Sequence, residues 1–253
     1  MKILLSPAKS LDYTSPLPTT KFTTSEFLSQ TLEINQVMKQ MSEKQLADLM
    51  GISSNLAELN YARFADFSEN FNKKNSRPAL FAFAGDVYTG LDAYTLKSDE
   101  IERAQNQIRI LSGMYGMLKP LDLLQPYRLE MGTKVQIGEH KNLYQFWKET
   151  LTAALNKELK NEEIVVNLAS NEYFKVIDKK TLNGDLIHPI FKDYKNGKLK
   201  TIAFYAKKAR GAMARHLIEH KNSDIKTILK FNSDGYAYSE SDSADKYHPT
   251  FIR

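Results

Sequence analysis

The chain has 253 residues, of which 42% are hydrophobic, 26% charged and 11% aromatic, a profile that excludes disordered, collagen-like and coiled-coil classes. It has no cysteine, so disulfides, iron–sulfur clusters, thiolate zinc sites and thiol nucleophiles are excluded as well. The net charge of +5 is unevenly spread: eleven Lys and Arg against three acids lie between Lys192 and Lys230, and the rest of the chain is slightly negative.

In chain order, Lys2–Leu5 reads as a short buried strand stopped by Ser6-Pro7. Its apolar stretch is only three residues, too short for a signal peptide or a membrane span, so a cytosolic protein is expected, with no membrane partner. Ala8-Lys9-Ser10 begins a loop. Thr24-Ser25-Glu26 opens a helix carrying Phe27, Leu28 and Leu32, and Ser42–Leu49 and Ser53–Phe67 read as two more. Ala79–Ala84, bounded by Pro78 and Gly85, reads as a buried strand, followed by a loop over Gly85–Gly90. Asp99–Gln105 is helical in pattern, Ile108–Leu111 is short and apolar, and Ser112–Gly116 is a glycine turn. Leu143–Lys160 is an amphipathic helix and Ile164–Leu168 a β-branched strand. Asn196-Gly197 is a type I′ turn signal for a hairpin spanning Phe191 to Tyr205, Ala209–His220 is the next helix, and the polar tail Ser233–Lys246 is expected to loop over the surface. With no repeat or clear linker, residues 1–253 read as one α/β domain, a mixed sheet surrounded by helices.

Three of the usual chemical signatures are missing: G-x-G-x-x-G, G-x-x-x-x-G-K-[ST] and G-x-S-x-G. His216-Leu217-Ile218-Glu219-His220 matches H-x-x-E-H, but Arg215 and Lys221 flank it in a basic helix, an unfavourable setting for Zn²⁺. The match is expected to be accidental, and no metal ligand or cofactor is assigned. Direct metal handling by carboxylates with His216 and His220 is the weakest of three functional readings.

Lys207, Lys208 and Arg210, followed by Arg215, cluster at an expected strand-to-helix junction among small residues (Ala206, Ala209, Gly211, Ala212). Such a cluster suits phosphates; a solvated charge run is the plain alternative. Gly113, Tyr115 and Gly116 lie in a tight turn that is either the backbone grip of a helix-hairpin-helix unit or a simple structural turn, its glycines being one residue further apart than in the usual hairpin. Four more segments combine polar groups with turn chemistry: Lys9; Asp86 with Tyr88; Tyr127–Gly132; and Asn167–Tyr173. Three of them begin at expected strand ends, where open α/β sheets bind ligands. If they converge, Lys9, Arg128 and Lys207 are anion anchors, and Asp86, Glu130 and Glu172 are candidate acid/base groups for an enzyme acting on a nucleotide or nucleobase.

Taken together, Leu5-Ser6-Pro7-Ala8-Lys9, Gly85-Asp86-Val87-Tyr88, Leu111–Gly116, Pro126–Gly132, Asn167–Phe174 and Phe204–Gly211 resemble the bacterial YaaA family, in the same order from residue 1 to about Tyr236. The resemblance implies a cytosolic peroxide stress response protein that lowers unincorporated iron. It also implies a family-specific fold with a helix-hairpin-helix-like element and DNA as partner, bound through a basic cleft. On this chain the hairpin would be Ser112–Leu118, and the cleft would include Lys9, Arg128, Lys207, Lys208 and Arg210. No catalytic residue is carried over.

Overall fold

The computed structural model describes residues 1–221 and 224–253. The chain begins with β1 (Lys2–Leu5) and a two-residue β2 (Ser10–Leu11), then three helices, α1 (Leu28–Met38), α2 (Glu43–Met50) and α3 (Ser54–Ala65). Helix α2 is bounded as its sequence dictates. Ser42 and Gln45 form a capping box at its start, and Gly51 takes the left-handed conformation at its end. Then come β3 (Arg77–Pro78), α4 (Ala79–Ala82), β4 (Phe83–Ala84), α5 (Asp86–Leu91) and α6 (Ser98–Gln107). The middle of the chain holds β5 (Ile108–Ser112), β6 (Gly116–Leu118), β7 (Leu123–Leu124), α7 (Leu143–Glu158), β8 (Ile164–Asn167) and α8 (Asn171–Phe174). The last part comprises β9 (Asp185–Ile187), β10 (Ile190–Lys195), β11 (Lys198–Lys200), α9 (Ala203–Glu219), α10 (Ile225–Leu229), β12 (Ala237–Ser239) and β13 (Thr250–Ile252).

The main sheet has the order β6-β5-β1-β8-β9. Strands β5, β1, β8 and β9 are parallel, and β6 is antiparallel at one edge. In register, Ile3 lies between Ile108 and Val166, and these apolar runs are buried on both faces, as a helix-covered parallel sheet requires. From β1 the chain crosses to β5 on one side; from β6 it returns through α7 to β8 on the other side of β1, and then moves outward to β9. The connections leaving β1 and β8 therefore diverge, which opens a crevice between the carboxyl ends of these two strands.

A second sheet, β11-β10-β13-β12, packs against α9 through β10 and carries a cluster of Phe191, Phe231, Tyr236 and Phe251. The mixed α/β class holds. The Asn196-Gly197 turn also forms as its dipeptide requires, with φ of 54° and 71° joining β10 to β11.

Four expectations are corrected. Ala79–Ala84 is a helical turn followed by a two-residue strand, because alanine favours helix and the segment has only β2 to pair with. Gly85–Gly90 is mostly helix α5, not a loop. Helix α9 starts at Ala203, so the β-alternation read up to Tyr205 stops at Lys200. The tail read as a surface loop contributes β12, paired antiparallel to β13.

Ser112–Leu118 is a β-hairpin between β5 and β6, with strands where the helix-hairpin-helix element was expected to have helices. Gly113, Tyr115 and Gly116 are all buried in it. A Cβ on Gly113 would lie 2.4 Å from the Leu129 carbonyl oxygen, and Gly116, at φ +67°, packs under the Trp147 ring. Trp147 Nε1 donates to the Gly113 carbonyl at 3.0 Å. Both glycines are required by packing, and the turn presents no backbone amides to a phosphate.

Among the described residues no helix is long and apolar enough to cross a membrane.

Candidate anion-binding cleft

A cleft of about 380 Å³ opens at the carboxyl ends of β1 and β8. The turn after β1 contributes Ser6 to Ser10, the turn after β8 contributes Ser170, Glu172 and Tyr173, and the start of α5 contributes Gly85 and Asp86. Lys207 and Arg210, one turn apart on α9, close the remaining wall. The two strand-end turns are sewn together: Ser170 N donates to Ser6 Oγ at 2.8 Å, and Tyr88 Oη donates to the Ser6 carbonyl at 3.0 Å.

Helix α9 can reach the cleft because it crosses α5 with the two backbones touching. A Cβ on Gly211 would sit 1.7 Å from the Val87 carbonyl oxygen, and one on Gly90 would sit 2.0 Å from the Lys208 carbonyl oxygen. Of the two things such small residues can admit at close range, a backbone or a ligand, these admit the backbone of a neighbouring helix.

The charges are arranged in two layers. At the rim, Lys207 Nζ lies 3.9 Å from Asp86 Oδ2, both partly exposed. In the second, largely buried Glu130 and Arg128 pair at 3.0 Å, and Glu130 Oε1 also holds the exposed Lys9 Nζ at 3.1 Å, while Arg128 Nε and Glu130 Oε2 are buried without a hydrogen-bond partner. Glu172 Oε1 accepts from Gly132 N at 3.2 Å, which ties the Tyr127–Gly132 segment to the turn after β8.

Arg210 differs from these groups. Its guanidinium is partly buried and has neither an ion pair nor a hydrogen bond among the described residues. Burial lowers its pKa from the ordinary arginine value, a sign that the site leaves this cation uncompensated. Beneath the cleft, burial raises the pKa of Tyr88, Tyr127 and Tyr173, so these phenols remain protonated.

The structure thus gathers Lys9, Asp86, Glu172, Lys207 and Arg210 around one space, with Arg128 and Glu130 bound to it through Lys9. It does not gather Gly113, Tyr115 or Gly116. Lys207, Lys208 and Arg210 sit inside α9 and not at a helix start, so they offer side-chain charge and no free backbone amides. Lys208 turns away to Asp234 at 3.3 Å. Arg215 is a structural clamp, held by Glu219 at 2.8 Å, the Asp92 carbonyl at 2.8 Å and Thr95 Oγ1 at 2.7 Å.

The H-x-x-E-H residues are also otherwise engaged: His216 Nε2 is 2.9 Å from the Thr227 carbonyl, His220 Nδ1 is 2.7 Å from the His216 carbonyl, and Glu219 pairs with Arg215. Sequence reasoning did not single out Ser6 and Ser10, and Ser170 and Tyr173 entered only as members of the Asn167–Tyr173 segment. Their signal was position, since Ser6 follows the end of β1 and Ser170 stands three residues past the end of β8.

The profile of the peroxide stress protein YaaA matches residues 1–242. The chain belongs to that family. It is 53% identical over 245 residues to a UPF0246 protein of Aliivibrio fischeri (strain MJ11), covering 96% of this chain and 95% of the relative. It is 51% identical over 253 residues to a UPF0246 protein of Flavobacterium johnsoniae, covering all of both, and 52% identical over 255 residues to one of Shewanella putrefaciens. The whole length of the chain, cleft and second sheet together, is therefore shared with YaaA-family relatives.

Proposed function

We propose that this peroxide stress protein acts by holding a phosphate-bearing, nucleotide-sized ligand in the cleft between β1 and β8. The observation that carries the reading is the uncompensated Arg210 guanidinium on the wall of a cleft that also presents Lys9 and Lys207. A planar fork of donors with no protein acceptor suits a phosphate oxygen pair. The volume falls in the range of small-ligand sites. Asp86 and Glu172 supply acid/base groups or acceptors for a base edge at the same space.

Calorimetric titration with a panel of nucleoside 5′-phosphates tests this reading. Wild type binds at least one of them, and Arg210→Gln, with an unchanged melting temperature, binds it at least about tenfold more weakly, as loss of a charge-assisted hydrogen bond predicts. Binding that is equal in the two proteins, or absent throughout the panel, overturns it.

A second reading, binding of DNA phosphates with little base specificity, is favoured by one observation: Lys207 is exposed at the cleft rim and Lys208 stands beside it on the same helix. In this reading the protein restrains damage from unincorporated iron through what it binds. Duplex affinity measured as salt rises, for wild type and for Lys207→Glu/Lys208→Glu, decides the matter. Binding that is alike, with the same slope, removes these lysines from the DNA surface.

A further inference from the structure

We propose that the cleft selects guanine nucleotides, with the base read at the rim by Lys207 and Asp86 together and the 5′-phosphate held by Arg210 and Lys9. The proposal rests on the nucleotide reading above and names the ligand class within it.

Asp86 is carried by α5 and Lys207 by α9, and the crossing of the two helices sets Lys207 Nζ 3.9 Å from Asp86 Oδ2 at the cleft rim. At that separation the charges attract but no hydrogen bond forms. The Asp86 carboxylate therefore accepts no hydrogen bond among the described residues, and the Lys207 ammonium donates none. Both head groups line the cleft with their hydrogen-bonding capacity unspent. The other carboxylate of the cleft is different. Glu172 already accepts from Gly132 N at 3.2 Å, a bond that ties two segments of the fold together.

An ammonium only donates and an ionised carboxylate only accepts, through two oxygens. Side by side, Lys207 and Asp86 thus present one donor followed by two acceptors. A planar base that satisfies them must show an acceptor followed by two adjacent N–H donors. Guanine has that edge in its O6, N1–H and N2–H₂. Adenine would set its amino group against the ammonium and its bare N1 against the carboxylate, and cytosine makes the same two mismatches. Uracil satisfies Lys207 and one carboxylate oxygen but turns a carbonyl on the other. Each mismatch leaves a charged group desolvated and unpaired, which is how a polar site rejects the wrong ligand.

The rest of the cleft suits the rest of the molecule. Arg210 lies one turn beyond Lys207 on α9 with its fork of donors unused, and Lys9 comes from the turn after β1, so the phosphate has two cations apart from the one that meets O6. Pro7, Ala8 and Val87 add apolar surface to the same lining, against which a ring can lie. In a duplex the edge that Lys207 and Asp86 would read is already paired. The ligand is therefore a free nucleotide, and the proposal is independent of the DNA reading.

Calorimetric titration with the 5′-monophosphates of guanosine, inosine, adenosine and 2′-deoxyguanosine tests the proposal. Inosine keeps O6 and N1–H and lacks only the 2-amino group. Wild type is expected to bind the guanosine and deoxyguanosine compounds alike, and each at least about tenfold more tightly than the inosine and adenosine compounds. In Asp86→Asn, with an unchanged melting temperature, the guanosine compound should weaken about tenfold and its advantage over inosine should vanish, which couples the carboxylate to the 2-amino group. Equal affinity of wild type for guanosine and adenosine, or for guanosine and inosine, overturns the proposal, as does a guanosine preference that survives Asp86→Asn. Loss of affinity on removing the 2′-hydroxyl, itself abolished by Asp86→Asn, overturns it too and assigns Asp86 to the ribose. All four compounds carry the same phosphate, so if Arg210→Gln weakens all of them equally while wild type binds them with one affinity, the nucleotide reading stands and the choice of guanine does not. If none of the four binds, both fall.

Discussion

A half-buried guanidinium without a counter-charge gives up part of its hydration uncompensated, and Arg210 is in that position at the cleft wall. Arg215, five residues further along α9, shows the contrast, with four oxygen acceptors within 3.2 Å. The same residue type serves structure at one site and is left available at the other. Replacing Arg210 by methionine is therefore expected to leave stability unchanged or raise it slightly while abolishing phosphate-ligand binding; Arg215→Met should lose about 2–4 kcal/mol, because it strips a carboxylate, a hydroxyl and two carbonyls of their donor. Urea denaturation midpoints for the two variants check this. His188 offers a second test at the same scale. Asn167 Oδ1 accepts from Ala169 N, so its amide NH₂ donates to His188 Nδ1, 3.0 Å away, and the ring must be neutral at that nitrogen. Burial, then Lys179 and His248, push its pKa down to about 4. Between its unfolded value near 6.5 and about 4 the unfolded chain takes up more protons, so stability falls as pH falls through that window; above 6.5 His188 contributes no pH dependence. The full shift corresponds to about 3 kcal/mol, reduced by solvent contact to about 1–2. In His188→Gln the unfolding free energy should change correspondingly less between pH 7 and pH 4.5, measured by denaturant titration at both.

At the scale of elements, the α5–α9 crossing decides whether the cleft exists, because it brings Asp86 from one helix beside Lys207 from the other. Gly211→Ala drives a methyl group into the Val87 carbonyl at 1.7 Å, where backbone and not a flexible side chain must yield. The expected loss is more than about 3 kcal/mol, together with phosphate-ligand binding weakened even under conditions where the variant stays folded. Circular dichroism melting and the calorimetric titration, applied to the same sample, measure both. This crossing was not legible in the sequence, where Ala206-x-x-Ala209-x-Gly211-Ala212 reads equally as room for a ligand. Elements whose signals are local were legible: β1, β8, α7, and the hairpin at Asn196-Gly197. The convergence of Lys9, Asp86, Glu172 and Lys207 was legible too, because each segment sits at a predicted strand end or beside one, and strand ends of a parallel sheet meet along one edge. What failed depended on partners far away in sequence. Ala79–Ala84 had no strand to join beyond Ser10-Leu11, and Gly113 and Gly116 take their meaning from Leu129 and Trp147. Helix α9 begins six residues before its expected start, because the alternation beyond Gly197 continues in residues that no third strand pairs with.

Across the whole molecule, the excess of cations lies between Lys192 and Lys230 on an otherwise slightly acidic chain, and the structure divides that region by function. Lys207 and Arg210 line the cleft, Lys207 exposed at its rim and Arg210 half-buried, whereas Lys195, Lys198 and Lys200 stand on the open hairpin. These two settings respond differently to salt. Ions penetrate poorly into a cleft that holds one phosphate group by short hydrogen bonds, so nucleotide affinity should depend only weakly on ionic strength. In the DNA reading, a duplex releases about 0.9 counterion for each phosphate it places on an exposed lysine, so each hairpin lysine in contact adds about −1 to the slope of log affinity against log salt. Neutralising the hairpin as Lys195→Gln/Lys198→Gln/Lys200→Gln should reduce that slope and leave nucleoside 5′-phosphate binding at Arg210 unchanged. The reciprocal variant, Arg210→Gln, should abolish nucleotide binding and alter the duplex slope by less than one. Isothermal titration and anisotropy over 50–300 mM salt distinguish two independent anion sites, which respond separately, from one continuous site, in which either set of substitutions changes both affinities together.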